Sequence, residues 1–102
     1  MNVIDLDMVK SMLSSLDYWR KTTSPKVVIL APGKGHKAFS AGGDMKGFYN
    51  LMKGPNPNLA GLDDLNFQDY SLHLGMALTD FFKVAIWDGI VMGAGVGVSV
   101  HS

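Results

Sequence analysis

Apolar positions recur along this chain in two rhythms. From Leu6 to Trp19 they fall at Leu6, Val9, Met12, Leu13, Leu16 and Trp19, three or four residues apart, the period of one helix face. Asp5 stands where an N-cap belongs and Thr22-Thr23-Ser24-Pro25 closes the pattern, so a helix is expected from Asp5 to about Lys21. The rhythm then changes. Lys26–Ala31 is a short unbroken apolar run, which reads as a buried parallel strand. Pro32-Gly33-Lys34-Gly35 is a turn, Phe39–Ala41 a second short strand, and Asp44 to about Met52 a short helix. After the loop Gly54–Asn58, a longer helix is expected from Asp63 or Asp64 to about Phe81. Its buried face would carry Phe67, Tyr70, Leu74, Ala77, Leu78 and Phe81. Val84–Trp87 is the next strand candidate. Strands alternating with helices predict an α/β fold with parallel strands.

Two glycine-rich segments interrupt these rhythms, about 50 residues apart. The first is His36-Lys37-Ala38-Phe39-Ser40-Ala41-Gly42-Gly43-Asp44 and the second Gly89-Ile90-Val91-Met92-Gly93-Ala94-Gly95-Val96-Gly97. Each follows an apolar, β-branched run and opens an expected helix. N–H groups at a helix start have no intrahelical partner, so two such starts facing one point can offer two donors to one ligand oxygen. The small side chains of Ala41-Gly42-Gly43 let a bulky group approach the backbone, and Asp44 can cap the following helix and so hold the loop. Close backbone approach to a ligand and close helix–helix packing both account for the four glycines between Gly89 and Gly97. Neither segment ends in the Gly-Lys-Ser/Thr of a Walker A loop, and Gly93-Ala94-Gly95-Val96-Gly97 lacks the spacing of a dinucleotide fingerprint. Beyond this strand-then-glycine likeness there is no internal repeat.

Composition narrows the classes. The 102 residues make one small domain at most, and nine acidic against nine basic side chains leave no net charge. No basic stripe points to nucleic acid. The absence of cysteine excludes a disulfide framework and a thiolate zinc site. His36, His73 and His101 lack metal-ligand spacing. No apolar run is long enough to span a membrane, so no membrane partner is expected. Asp5 and Asp7 sit where a signal or transit peptide would be basic. No targeting segment is recognised, although the apolar pattern starts abruptly, and the compartment stays open between mitochondrial and cytoplasmic.

Taken together, the two segments resemble the crotonase (enoyl-CoA hydratase/isomerase) superfamily. Lys37–Asp44 is similar to that family's first oxyanion-loop motif and Gly89–Gly97 to its second. The closer likeness is to the 3-hydroxyisobutyryl-CoA hydrolase branch, through the Ala-Gly-Gly-Asp form of the first motif and the run Gly89 to His101. Asn2 to Trp19 also resembles the helix before the first strand in these enzymes. The likeness covers essentially the whole chain and is weakest across Gly54–Asn66. It implies that residues 1–102 are the N-terminal part of a single crotonase-fold domain, a truncated α/β (ClpP/crotonase) spiral of β-β-α units. It further implies a homo-oligomer, a trimer or hexamer, and a hydrolase of acyl-CoA thioesters in valine catabolism. No cofactor is implied, CoA being part of the substrate.

The resemblance also assigns roles. The backbone N–H groups of Gly43 and Ala94 would form the oxyanion hole for the thioester oxygen. Ala41, through its backbone, would lie near the CoA adenine. Asp44, Met45 and Lys46 would line the CoA channel, and Lys34 or Lys37 could meet its phosphates. Asp69 falls where the branch has an acidic substrate-contacting residue; read without the resemblance, it is a solvated charge on an amphipathic helix. Two departures matter. Ala94 replaces the middle glycine of the second motif, adding a methyl group beside the thioester while keeping the donor. Gly97 stands where hydratases carry their first catalytic glutamate, which argues against water addition to a double bond. The glutamate and aspartate of the hydrolase branch would lie beyond Ser102, and no residue here is an obvious substitute. Alternatives are an enoyl-CoA hydratase/isomerase and a catalytically inactive CoA-binding or assembly module.

The remaining candidates have plainer readings. Ser40 lacks the Gly-x-Ser-x-Gly of a nucleophile elbow and is expected to pack behind the loop. His73 reads as solvated or as a satisfied core group, and His101 as structural. The seven methionines read as core filler. Trp19 and Trp87 are expected in core or helix–strand contacts, and Phe48 and Tyr49 either wall an acyl pocket or pack.

Overall fold

The computed structural model describes residues 2–22 and 25–102, so part of the expected Thr22–Pro25 helix stop lies outside the described residues. The first helix, α1 (Leu6–Lys21), starts where Asp5 accepts a hydrogen bond from the Met8 N–H at 2.8 Å. It buries Val9 and Leu16 and half-buries Met12, Leu13 and Trp19, the face its periodicity predicts. Then come β1 (Val27–Leu30), β2 (Ala38–Ser40), α2 (Met45–Met52) and α3 (Leu59–Ala77). The chain continues through β3 (Phe82–Ala85), β4 (Ile90–Val91) and α4 (Ala94–Ser99).

Both strand pairs are parallel: β1 lies beside β3 with Val27 opposite Phe82, and β2 beside β4 with Ala38 opposite Ile90. The order is therefore two strands and then helix, twice over, with each strand of the second turn stacked on its counterpart in the first. The loose likeness between the two glycine segments is this repeat. Parallel neighbours end on the same side, so the loops after β2 and β4 emerge side by side.

α3 departs from expectation in three ways. It begins at Leu59 because Asn58, not Asp63 or Asp64, caps it, accepting from the Gly61 N–H at 2.9 Å. It ends at Ala77, and the next strand starts at Phe82 rather than Val84. Its buried residues are Leu72 and Met76, while Phe67, Tyr70, Leu74 and Leu78 are exposed, Phe67 at 70%. The helix is apolar on both sides, and α1 packs against the side carrying Leu72 and Met76. The core is Ile4, Val9, Leu16, Leu72, Met76 and Val98. Phe81 still joins its margin from beyond the helix, edge-on to Trp19 with ring centroids 5.8 Å apart. The methionines are not filler as a group: of those described, Met76 alone is buried, and Met45, Met52 and Met92 are more than half exposed.

Candidate functional site

The first glycine loop is held from three sides. Ser40 Oγ accepts from the Gly42 N–H at 3.1 Å, behind the loop as its size suggested. Asp44 accepts from the Gly47 N–H at 3.1 Å and so caps α2. The N-terminal segment runs parallel alongside: the Ala41 N–H donates to Asn2 O at 2.7 Å, the Ile4 N–H to Gly42 O at 2.9 Å, and the Asp44 N–H to Ile4 O at 3.1 Å. Asn2 Nδ2 adds a bond to Phe39 O at 2.7 Å. A segment of three residues carries no periodicity, so this clamp left no sign in the sequence.

The second loop lies directly on the first. The Met92 N–H donates to Ser40 O at 3.1 Å. Gly42 and Gly93 have φ of 99° and 53°, in the left-handed region that favours glycine. A Cβ on Gly93 would sit 3.4 Å from Gly42 Cα, and a Cβ on Gly95 would fall 2.6 Å from Ser40 Cβ. Small residues here let two backbones touch. The residues that follow the touching pair are Gly43 and Ala94.

Those two residues open into one cavity of about 470 Å³, together with Asp44, Phe48, Leu51, Asp64, Leu65 and Asp69. Among the described residues neither the Gly43 nor the Ala94 N–H donates to a protein acceptor, whereas Gly95, Val96 and Gly97 already bond back to Met92 or Gly93. Of the residues singled out in the sequence, the cavity gathers Gly43, Ala94, Asp44 and Asp69. Ala41, Met45 and Lys46 lie outside its lining, with Met45 and Lys46 exposed on α2. Phe48 forms part of the wall, and Tyr49 is exposed and does neither. Lys34, Lys37, His36 and His101 are exposed. Trp87 Nε1 donates to Ser99 Oγ at 2.9 Å, and Ser99 Oγ donates to Gly95 O at 2.6 Å, which ties α4 to the loop preceding β4. Among the described residues no cluster of three His, Cys, Asp or Glu could hold a metal, and no helix is long and apolar enough to cross a membrane.

Asp69 is no solvated charge. It is half-buried beside His73 one helical turn on, with Asp69 Oδ1 3.3 Å from His73 Nε2. The ring of His73 lies against Gly97. Sequence reading passed over this contact because it joins residues of different elements.

A family described as enoyl-CoA hydratase/isomerase matches residues 1–102. The chain is 37% identical over 101 residues to the mitochondrial 3-hydroxyisobutyryl-CoA hydrolase of Mus musculus and 36% identical over 102 residues to that of Bos taurus. Each match covers 99% of this chain and 25% of the relative. The chain thus spans about a quarter of the length of these relatives. Among solved structures, a carnitinyl-CoA dehydratase from Mycobacterium thermoresistibile superimposes with a TM-score of 0.86 at 33% identity, over 98% of this chain and 28% of that one. The mixed helix–strand arrangement is therefore part of a crotonase fold, as the paired glycine motifs led us to expect. With the match running over its whole length, the chain belongs to the enoyl-CoA hydratase/isomerase, or crotonase, family.

Proposed function

We propose that this chain is the N-terminal part of an acyl-CoA thioester hydrolase whose substrate is a short, branched 3-hydroxyacyl-CoA. The observation that carries this reading is the pair of unpartnered N–H groups, on Gly43 and Ala94, opening into one cavity. A thioester carbonyl placed there would accept from both. Charge builds on that oxygen when the carbonyl is attacked, and fixed donors stabilise the developing charge more than the ground state. The names of these relatives, and Gly97 where a hydratase would need a carboxylate, favour hydrolysis over water addition.

Activating water needs a free carboxylate near the carbonyl. The cavity offers Asp44, Asp64 and Asp69. Asp44 is engaged in capping α2 and Asp69 lies against His73. The general acid and base are assigned to none of these: Asp64 is exposed to solvent on α3, and the hydrolase branch that the chain resembles carries its glutamate and aspartate after the second glycine motif.

Sequencing the transcript through the Ser102 codon comes first. The protein it encodes should then release free CoA thiol from 3-hydroxyisobutyryl-CoA. Loss of the double-bond absorbance of crotonyl-CoA without thiol release would replace this reading with a hydratase. Binding of CoA thioesters with no turnover of either kind would replace it with a binding module.

A further inference from the structure

We propose that His73 is a positioning residue for Asp69, with Gly97 as the seat of its ring, and that the triplet selects acyl chains bearing a hydroxyl group. The substrate part of this inference rests on the functional reading above; the arrangement of the triplet does not.

Asp69 and His73 stand four residues apart on α3, the spacing at which helix side chains meet. Asp69 Oδ1 and His73 Nε2 are both fully buried and have no hydrogen-bonding partner. They face each other at 3.3 Å without the alignment of a formed bond. Buried polar atoms are normally paired, and a small rotation of either side chain closes this one. A carboxylate oxygen can only accept, so the proton must sit on Nε2.

Gly97 makes the arrangement possible. A Cβ there would fall 2.5 Å from His73 Cε1 and 2.6 Å from Nε2. Any side chain would push the imidazole off the α4 backbone. The edge of Tyr70 closes another side of the ring, with centroids 6.0 Å apart at 88°. The position that lacks a hydratase carboxylate is thus used to seat a histidine.

The consequence falls on the cavity. Asp69 lines it and keeps 26% of its side-chain surface exposed, while Oδ1 is buried against the imidazole. Asp69 lines the same cavity as the Gly43 and Ala94 donors, so Oδ2 is the oxygen that this proposal offers to a ligand there. A carboxylate held in one rotamer accepts well from a substrate hydroxyl and gains nothing from a plain alkyl chain.

Two measurements on the full chain test this. Imidazole ¹⁵N shifts of neutral His73 should report the Nε2–H tautomer, and Asp69→Ala should shift the population toward Nδ1–H. The protein should bind 3-hydroxyisobutyryl-CoA about tenfold more tightly than isobutyryl-CoA, the ratio expected of one hydrogen bond to a charged group. His73→Phe, which keeps a ring on Gly97, should bring that ratio close to one without weakening isobutyryl-CoA. His73→Gln should restore part of the ratio. A tautomer indifferent to Asp69→Ala overturns the pairing, and needs no folded His73 variant. A hydroxyl preference that survives His73→Phe overturns the positioning role. If the tautomer responds but neither thioester binds, the triplet stands and the substrate reading falls.

Discussion

The two strand pairs are built from the same pattern and sit in opposite surroundings. β2 is buried at all three positions, with the N-terminal segment, α4 and the two glycine loops packed around it. β1 and β3 alternate between exposed and half-buried. Val27, Ile29, Phe82 and Val84 form one outward face, with Phe82 79% exposed. Their inner face does not close fully on α1, leaving an apolar hollow of about 390 Å³ bounded by Met12, Leu16, Val28 and Leu30. Parallel sheets are ordinarily covered on both faces. β2, the strand beneath the site, is already enclosed by this chain's own residues, although its neighbour β4 leaves Ile90 47% exposed, whereas β1 and β3 both present a surface of the kind that needs a cover. A second exposed apolar stripe, Phe67, Tyr70 and Leu74, runs along α3.

Substitutions can break that contrast from either side. The largest effect is expected at the site. Ala94 is the first residue of α4, where proline is tolerated because the N–H has no helical partner. Ala94→Pro removes one of the two N–H groups proposed to form the oxyanion hole. It should lower thiol release about 10²–10³-fold in the full enzyme, with little change in unfolding temperature. Equal loss of activity and of stability would argue that Ala94 is structural.

Next in size is the core under the site. Leu72 is fully buried between α1 and α3. Leu72→Ala should cost about 2–5 kcal/mol in urea unfolding, a large part of a small domain's total stability. Asp44→Ala removes the cap that holds the first loop to α2, and should cost about 1 kcal/mol by the same measurement.

The smallest effect on stability is expected on the open side. Phe82→Ser with Val84→Ser should change stability by about 0.5 kcal/mol or less and reduce self-association in sedimentation velocity. The unsubstituted chain, by itself, should self-associate or melt broadly through this face. A sharp, monomeric, two-state melt would show that the open face carries no such liability.

The sequence was legible where local chemistry decides. Asp5 and Asp44 cap the helices they precede, the face of α1 follows its period, and the two glycine loops lie where small residues and positive φ demanded. It misled at α3. The buried stripe there includes Asp69 and adjoins His73, so the polar residues of the site masked the true face and the more apolar opposite side looked like the core. Nor did local pattern place β4, which is two residues long, or the pairing of Ile4 with Gly43.

By itself the sequence determined α1 and α2 with their caps at Asp5 and Asp44, the two loops able to leave donors free, and the family to which those loops belong. These depend on neighbours within a few residues and on backbone freedom at Gly42 and Gly93. Tertiary structure decided what those parts do together. Stacking one β-β-α turn on the next brings Gly43 and Ala94 into one cavity, and only the packing of α3 on α4 sets His73 against Gly97. Such juxtapositions join residues far apart along the chain, and their energy comes from contacts that no local pattern records.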